Sequence, residues 1–469
     1  MIKSNILDTI IQYNLQNELF KGSFGIEKEN LRVNSDGHLA LTPHPKVFGD
    51  KMENPFITVD FSESQLEMIT PPLKSITEVY SFLEKLHNTI SINLDNEYLW
   101  PQSVPPIIPD EEKIPIAIFQ HSQDGKRAEK YREMLSKTYG RSRQLLSGIH
   151  YNFSFDISFL KELHKLIAPN EDFKNFKDEV YLKISRNYIR NRWLIIYLLG
   201  ASSLVHKSFF HQCPGYKTKC VDGMKVKDNT FYSNKTTSFR HGRCGYRNKD
   251  EFYVSFNSID EYISDIKNHV SKETIHEVRE FYSPVRIKTK DTVNILNSLK
   301  NDGIQYIEIR TVDLNPYSPI GVDVEDLHFI HLLLLYCLFD DNDPLECLEN
   351  HNSNQNHDNV AINGKSKYLR LYRKEDDGVL LKNWANEILN NIGSFVHSLG
   401  IETDLYTKVL DFQKNKIDHE EQMYSTKLVE DLLDSSFVDL HINKAVNYLT
   451  KSENSKNFFS LNDSNGELV

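Results

Sequence analysis

Cysteine is scarce in this chain: five in 469 residues, at Cys213, Cys220, Cys244, Cys337 and Cys347. So sparse and odd a set excludes a disulfide framework and fits a reducing compartment, so unpaired thiols are expected. The spacings among His211, Cys213, Cys220, His241 and Cys244 match no standard zinc motif. Long apolar runs are missing too. The longest, residues 193–199 and 332–339, are too short to cross a bilayer. The N-terminal segment places Ile6, Ile10, Ile11, Leu15 and Leu19 at amphipathic-helix spacing with charges throughout, unlike a secretory leader. A soluble, cytoplasmic protein with no membrane partner is therefore expected. Positive charge is in the minority, 55 Lys and Arg against 66 Asp and Glu, for a formal net charge of −11. Such a chain repels phosphate backbones, which argues against nucleic acid as the main partner. Also absent is a glycine-rich phosphate loop of the Walker A, kinase or Rossmann type. A phosphate substrate would have to be met by local Arg or Lys groups or by metal ions.

What is present is ordinary globular composition, 39% hydrophobic and 26% charged. The length suits about three domains of ~150 residues or one large catalytic domain. Apolar spacing predicts helices over residues 75–98, 125–139, 179–199, 258–270 and 323–339. Residues 341–367, rich in Asn, His and Asp, read as a mobile loop. Residues 371–449 read as all-helical, and the polar segment 452–469 as a frayed end.

The chemistry lies in the short strands between the helices. In FGIEKENLRV (24–33), alternation puts Glu27 and Glu29 on one face, about 6–7 Å apart. FITVD (56–60) ends in Asp60, and QLEMIT (65–70) sets Gln65 and Glu67 opposite Leu66 and Met68. In IHYNFSF (149–155) the rings of Tyr151, Phe153 and Phe155 oppose His150, Asn152 and Ser154, and in GIQYIEIRTV (303–312) Glu308 and Arg310 oppose Ile307 and Ile309. Taken singly, each is the ordinary surface of a sheet. Together they differ from a solvated face, which favours Lys, Thr and Ser. On one sheet, the polar face would gather Glu27, Glu29, Asp60, Glu67 and Glu308 around His150. Carboxylates so crowded raise one another's pKa unless neutralised. Oxygen donors with one imidazole suit Mg²⁺ or Mn²⁺ better than zinc. Acids holding metal beside Arg310, with Arg132 or Arg240 as further candidates, suggest nucleotide triphosphate chemistry.

The strings FGIEKENLRV, TVDFSESQLEMITP, YLWPQSVPP, YREMLSKTYG, SGIHYNFSF, YLLGAS, FYSPVR and IQYIEIRTVDLNPYSPIGVD resemble the glutamate–cysteine ligase family of the proteobacterial type. They are also similar to the N-terminal module of bifunctional glutathione synthases. The resemblance runs over residues 24–322, in order. It implies an α+β fold in which a curved antiparallel sheet forms an acid-lined funnel, of the glutamine synthetase and guanido kinase type, wrapped by helices. Residues 1–448 would be one catalytic domain, sheet-bearing over about 20–322 and helical over about 323–448, with a polar tail at 449–469. The length fits the single-function ligase, so no second step to glutathione is expected.

The resemblance further implies ATP-dependent phosphorylation of the glutamate γ-carboxylate and attack by the cysteine amine, giving γ-glutamylcysteine for glutathione biosynthesis. The partners would be L-glutamate, L-cysteine and ATP, with Mg²⁺ or Mn²⁺ and no nucleic acid. Oligomeric state stays open, a monomer being compatible. Carried over position by position, Glu27, Glu29, Asp60, Glu67, His150 and Glu308 are the metal ligands. Arg310 contacts the transferring phosphate and the nucleotide, and Asn152 lies near the nucleotide. Arg240, in SFRHGRCGY, steadies the glutamyl carboxylate or the tetrahedral intermediate. Phe61, Tyr131, Leu135, Gln144, Tyr246 and Tyr282 form the cysteine pocket, with Arg132 a carboxylate or phosphate partner beside it. Cys244, close to Tyr246, would expose the enzyme to oxidants. Cys337 and Cys347 show no counterpart to the regulatory pair of some relatives, and Lys28 and Asn30 read as tolerated variation. Two other readings remain: a related ligase joining glutamate to a different amine, and a non-catalytic paralogue acting as a binding subunit.

Overall fold

The computed structural model describes residues 6–119, 122–211, 213, 215–340, 343–373, 376–401 and 403–461. Strands β1 (Gly22–Asn34), β2 (Ile57–Val59), β3 (Gln65–Ile69), β4 (Glu97–Leu99) and β5 (Ile149–Phe155) come first along the chain. β6 (Leu204–His206), β7 (Lys225–Lys227) and β8 (Thr230–Tyr232) form a separate small sheet. β9 (Val285–Lys288) and β10 (Tyr306–Val312) complete the main sheet, and β11 (Arg370–Arg373) pairs with β12 (Asp376–Leu380). The main sheet runs β2-β3-β1-β5-β10-β9, with β4 added to β1. Every one of its pairs is antiparallel, as the family resemblance implies.

Period-two alternation decides its faces. Ile26, Met68, Tyr151, Phe153, Ile287 and Ile307 are buried together under helices Ile76–Asn93, Phe173–Asn191, Trp193–Leu199 and Val324–Phe339. The His331 ring sits 5.0 Å from both Phe24 and Phe153, edge-on to the first. Helix Ile76–Asn93 starts at a capping box, Ser75 with Glu78, which satisfies two otherwise unpaired amides. Lys28 lies on this apolar face as well, its Nζ 3.1 Å from His87 Nδ1. Burial pushes the Lys28 ammonium down to about 7, so the residue is a core lysine rather than a variable surface one.

The expected helices appear, that at 75–98 ending at Asn93 ahead of β4 and that at 179–199 divided at Arg192, and three other expectations are corrected. Beyond residues 341–342, which lie outside the described residues, the supposed loop at 341–367 contains a helix, Cys347–Asn363. Its polar side chains are held by partners rather than by water. Asn356 exchanges two hydrogen bonds with the backbone of Tyr372, Glu349 accepts two from Arg190, and Asp358 two from Arg247. The stretch 371–449 is not all-helical, because the β11–β12 hairpin opens it. The end at 452–469 is not frayed through residue 461. Helix Phe437–Asn454 continues past its start, Asn88 Nδ2 donates to the Asn457 carbonyl at 2.9 Å, and Phe459 packs on Phe82 at 5.0 Å. Residues 462–469 lie outside the described residues.

Cysteine use is corrected too. Cys220 and Cys244 form a disulfide with Cα atoms 5.4 Å apart, since the β7–β8 hairpin between them folds the segment back on itself. Cys244 is thus no free thiol. The unpaired ones are Cys213, whose Sγ lies 3.9 Å from Cys220 Sγ, buried Cys337 and exposed Cys347. Among the described residues no helix is long and apolar enough to cross a membrane.

The C-terminal helices are tied to helix Val324–Phe339, which covers the sheet, through a buried polar cluster. Lys416 Nζ lies 2.9 Å from Asp326 Oδ1. Tyr424 Oη donates to Asp323 and Asp326 at 2.6 and 2.7 Å. Removing one partner of a buried ion pair leaves a charge unpaired, which costs about 3 kcal/mol or more. Lys416→Met should accordingly lower the urea midpoint clearly, whereas an unchanged midpoint would mean that the pair contributes nothing. Alkylation of the native, unreduced protein followed by peptide mass mapping should label Cys347 and Cys213 but neither Cys220 nor Cys244, both of which become labelled after reduction. Labelling of Cys244 before reduction would contradict the pairing.

Candidate active site

The register of the main sheet brings the predicted acids together. Glu27 pairs across β1–β5 with His150, Glu29 across β1–β3 with Glu67, and Glu308 across β10–β5 with Asn152. Asp60 follows directly after β2, its amide donating to the Gln65 carbonyl at 3.1 Å, and its charge acts on Glu29 and Glu67. His150 stands at the centre. Its Nδ1 is 3.4 Å from Glu27 Oε2 and 3.3 Å from Glu308 Oε1, and its Nε2 is 3.6 Å from Glu29 Oε1. Asn152 Nδ2 donates to Glu27 at 2.9 Å, and the Gly148 amide to Glu29 at 2.8 Å.

Charge divides this face into two halves. Burial opposes ionisation of Glu308, but Lys288, Arg310 and His150 overcome it and hold the carboxyl well below the usual range. Burial and the Glu308 charge push Glu27 up, yet His150 and Lys288 leave it lowered. Burial lowers His150 and Arg310 adds to that, but the three surrounding carboxylates leave it raised. The other half lacks such compensation. Burial raises Glu29 most, with the Asp60 charge adding to it against the pull of His150, Arg240 and Arg310. Glu67 is raised well above the usual range by burial and by Asp60, Glu27 and Glu29, with Arg132 the main charge against them.

A divalent cation fits these residues. Glu27, His150 and Glu308 can each offer a ligand atom, all within 4.8 Å of one another. His150 Nε2 has no hydrogen-bond partner, and oxygen donors with one imidazole suit Mg²⁺ or Mn²⁺.

Two of the arginines are fixed mainly by backbone. Arg240 is buried, donating to the Arg310 carbonyl at 3.2 and 3.3 Å. Its guanidinium lies over Gly148, where a Cβ would stand 2.1 Å from Nη2, so a side chain at 148 would displace the arginine. Arg132 donates to the carbonyls of Asp60 and Val59 and stacks on Phe119 at 4.5 Å, which makes it a strut under Asp60. Arg310 donates to Glu308 at 3.0 Å and to the Tyr246 hydroxyl at 3.4 Å. From there an aromatic group extends. Tyr246 and Tyr282 lie 4.6 Å apart, and Phe61 and Leu135 pack with Tyr131 and Tyr282 in a small separate cluster. Gln144 is buried in helix Arg141–Gln144, packed on the helix that carries Tyr131 and Leu135.

One residue of this face went unread in the sequence. Lys288 Nζ is 3.1 Å from Glu308 Oε2. The alternation Val285, Ile287 against Arg286, Lys288 is the same signal that marked the other strands. It was missed because lysine on a strand is usually a mark of solvation.

The description glutamate-cysteine ligase belongs to the family model that matches residues 7–276 and 270–360. The chain is 40% identical over 455 residues to the glutathione biosynthesis bifunctional protein GshAB of Clostridium perfringens, covering 97% of this chain and 57% of that one. It therefore spans little more than half the length of that bifunctional relative. It is 38% identical over 405 residues to the glutamate–cysteine ligase of Clostridium acetobutylicum, covering 80% of this chain and 84% of that protein. Among solved structures, the glutamate–cysteine ligase of Francisella tularensis in complex with AMP superposes with a TM-score of 0.84 at 26% identity, covering 93% of this chain and 90% of that one.

The raised Glu67 carboxyl has a consequence for stability. An unfolded glutamate ionises near pH 4.3, whereas folded Glu67 keeps its proton to higher pH. Stability therefore falls as pH rises from the unfolded value toward the folded one. In metal-free buffer, Glu67→Gln should raise the thermal midpoint at pH 8 by about 1–2 °C and leave it unchanged at pH 4. A thermal scan of both proteins at the two pH values checks this, and an equal gain at both would show that charge is not the cause.

Proposed function

The chain belongs to the glutamate–cysteine ligase family, and from that premise we propose that it joins the γ-carboxylate of glutamate to the amine of cysteine using ATP, through a γ-glutamyl phosphate. The observation that carries this reading is the half-compensated acid face: basic groups balance Glu27 and Glu308, while Glu29 and Glu67 are held up in pKa. Glu27, Glu29, Asp60, Glu67, His150 and Glu308 would hold the divalent cations. When bound, such ions supply charge neutralisation on phosphate oxygens.

The protein's own groups do the rest. A glutamate γ-carboxylate oxygen attacks the terminal phosphorus of ATP, and ADP leaves. Arg310 and Lys288 face the oxygens on which negative charge is carried. Asn152, at the β10 side of Glu27, stands where the nucleotide would lie. The AMP held by the Francisella tularensis relative fits nucleotide use by this chain. Arg240, locked over Gly148, would steady the glutamyl carboxylate or the tetrahedral intermediate. The cysteine amine then attacks the acyl carbon, the C–N bond forms, and inorganic phosphate leaves with the former carboxylate oxygen. A carboxylate is a poor electrophile until that oxygen is phosphorylated, which is why ATP is needed. Phe61, Tyr131, Leu135, Gln144, Tyr246 and Tyr282 would enclose the cysteine side chain, an aromatic slot suited to a polarizable sulfur, with Arg132 fixed beside it. The reading makes residues 1–448 one catalytic unit working in the cytoplasm.

Purified protein given ATP, Mg²⁺ and glutamate should release ADP when cysteine is added, with γ-glutamylcysteine found by mass. ADP release with another amine alone would change the acceptor, and none with any amine would favour a non-catalytic paralogue. Glu308→Gln should cut turnover at least about 100-fold while the circular dichroism spectrum stays native. Unfolding of that variant would make the acid structural instead.

A further inference from the structure

Helix Phe173–Asn191 and helix Trp193–Leu199 meet at Arg192, whose side chain is buried, 3% exposed. Its guanidinium donates to the Ile189 carbonyl at 3.0 Å, to His357 Nδ1 at 3.1 Å and to the Asn354 side chain. None of these partners is charged. Asp358, the acid that pulls on it most, is engaged by both of its oxygens with Arg247, at 2.7 and 2.9 Å. Among the described residues no carboxylate stands at ion-pair distance from Arg192, and burial presses its pKa down to about 10. A buried guanidinium without a counter-charge is costly, so such a site favours an anion.

The surroundings give that anion a place. Arg192 borders a cavity of about 100 Å³ together with His241, His357, Ser283, Tyr246 and Arg310. The buried Ser283 hydroxyl has no hydrogen-bond partner. The His241 and His357 rings stand 5.2 Å apart, edge to face. Three arginines, Arg192, Arg247 and Arg310, line it against one acid, Asp358, so it is cationic, and it is too small for a nucleotide. Its inner wall, Arg310 and Tyr246, is shared with the acid-lined face. A planar carboxylate matches the fork of a guanidinium, and both amino acids of the reaction carry an α-carboxylate that takes no part in the chemistry.

We propose that Arg192, with Ser283 and His357, forms a carboxylate subsite that holds the α-carboxylate of one of the two amino-acid substrates and so orients its reacting end. The inference rests on the ligase reading for its choice of ligand. The two possible sources are separable with analogues that lack the carboxylate: cysteamine for cysteine, and the α-amide of glutamate for glutamate. In Arg192→Gln, the preference for cysteine over cysteamine, or for glutamate over its α-amide, should fall by about tenfold, and the loss should lie in KM rather than kcat. The pair whose preference collapses identifies the substrate held. Arg192→Lys should restore part of it, and Ser283→Ala should weaken the same preference with little effect on the thermal midpoint. These two variants carry the test if Arg192→Gln fails to fold.

An active wild type with both preferences unchanged in the variants overturns the subsite. A wild type that turns over neither amino acid overturns the ligase reading instead. In that case thermal shifts with the four compounds read the subsite directly. Stabilisation by an acid but not by its analogue, lost in Arg192→Gln, supports it, and equal shifts refute it.

Discussion

Glu27 and Glu29 stand two residues apart on the same strand, with His150 beside one and Glu67 beside the other. The repulsion among these buried carboxylates has to be met from somewhere. On one side the protein meets it itself. Lys288 and Arg310 both lie against Glu308, and His150 links that acid to Glu27. On the other side Arg132 is the main charge set against Glu67, its hydrogen bonds going to backbone carbonyls, and the pull of His150, Arg240 and Arg310 leaves Glu29 still raised. The result is a field gradient across a few residues, from acids that ionise readily to acids that resist it. An anionic oxygen entering this face would meet Lys288 and Arg310 at the first group, while a cation would relieve the acids of the second besides taking the ligand atoms of Glu27, His150 and Glu308. A preorganised arrangement of that kind is the general way in which a site stabilises charge that moves during reaction.

Holding such a face open takes a rigid support, and the opposite side of the sheet supplies it. Aromatic and β-branched residues of β5, β9 and β10 are sealed under four helices. The C-terminal helices join that layer through Asp326, Lys416 and Tyr424, so residues far from the acids are coupled to the floor beneath them. Helix Cys347–Asn363 works differently. With few apolar residues to bury, it is held by side chains of Asn356, Glu349, Asn354 and Asp358 that meet backbone or arginine partners. It encloses the region around Arg192 largely by polar contacts, with Val360 and Ala361 joining the core.

That helix also marks where sequence reasoning stops. Period-two alternation exposed β1, β3, β5 and β10, because one face of each is apolar and the other is not. The acids and His150 followed from the same pattern. Helix Cys347–Asn363 has no apolar stripe, so the usual signal was silent, and its partners Arg190, Arg192 and Arg247 are distant in sequence. Lys288 was hidden by the ordinary habit of lysine to face water. The Cys220–Cys244 pairing depended on a hairpin whose β7 is exposed at two of its three positions, too weak a pattern to find. The aromatic residues around Tyr282 were reached through resemblance rather than periodicity. They come from a helix, the residue after Asp60 and two loops, which no local pattern connects. Local chemistry was legible, then, and long-range meetings of polar groups were not.

Gly148 shows how closely the two sides of the site are joined. Its amide holds Glu29, and its bare Cα leaves room for the Arg240 guanidinium. One residue without a side chain therefore sets the spacing between an acid of the sheet and a base of the neighbouring loop. A side chain at residue 148 would displace that arginine from its carbonyl partners. The position with least chemistry of its own thus governs how closely an acid and an arginine of the site can approach.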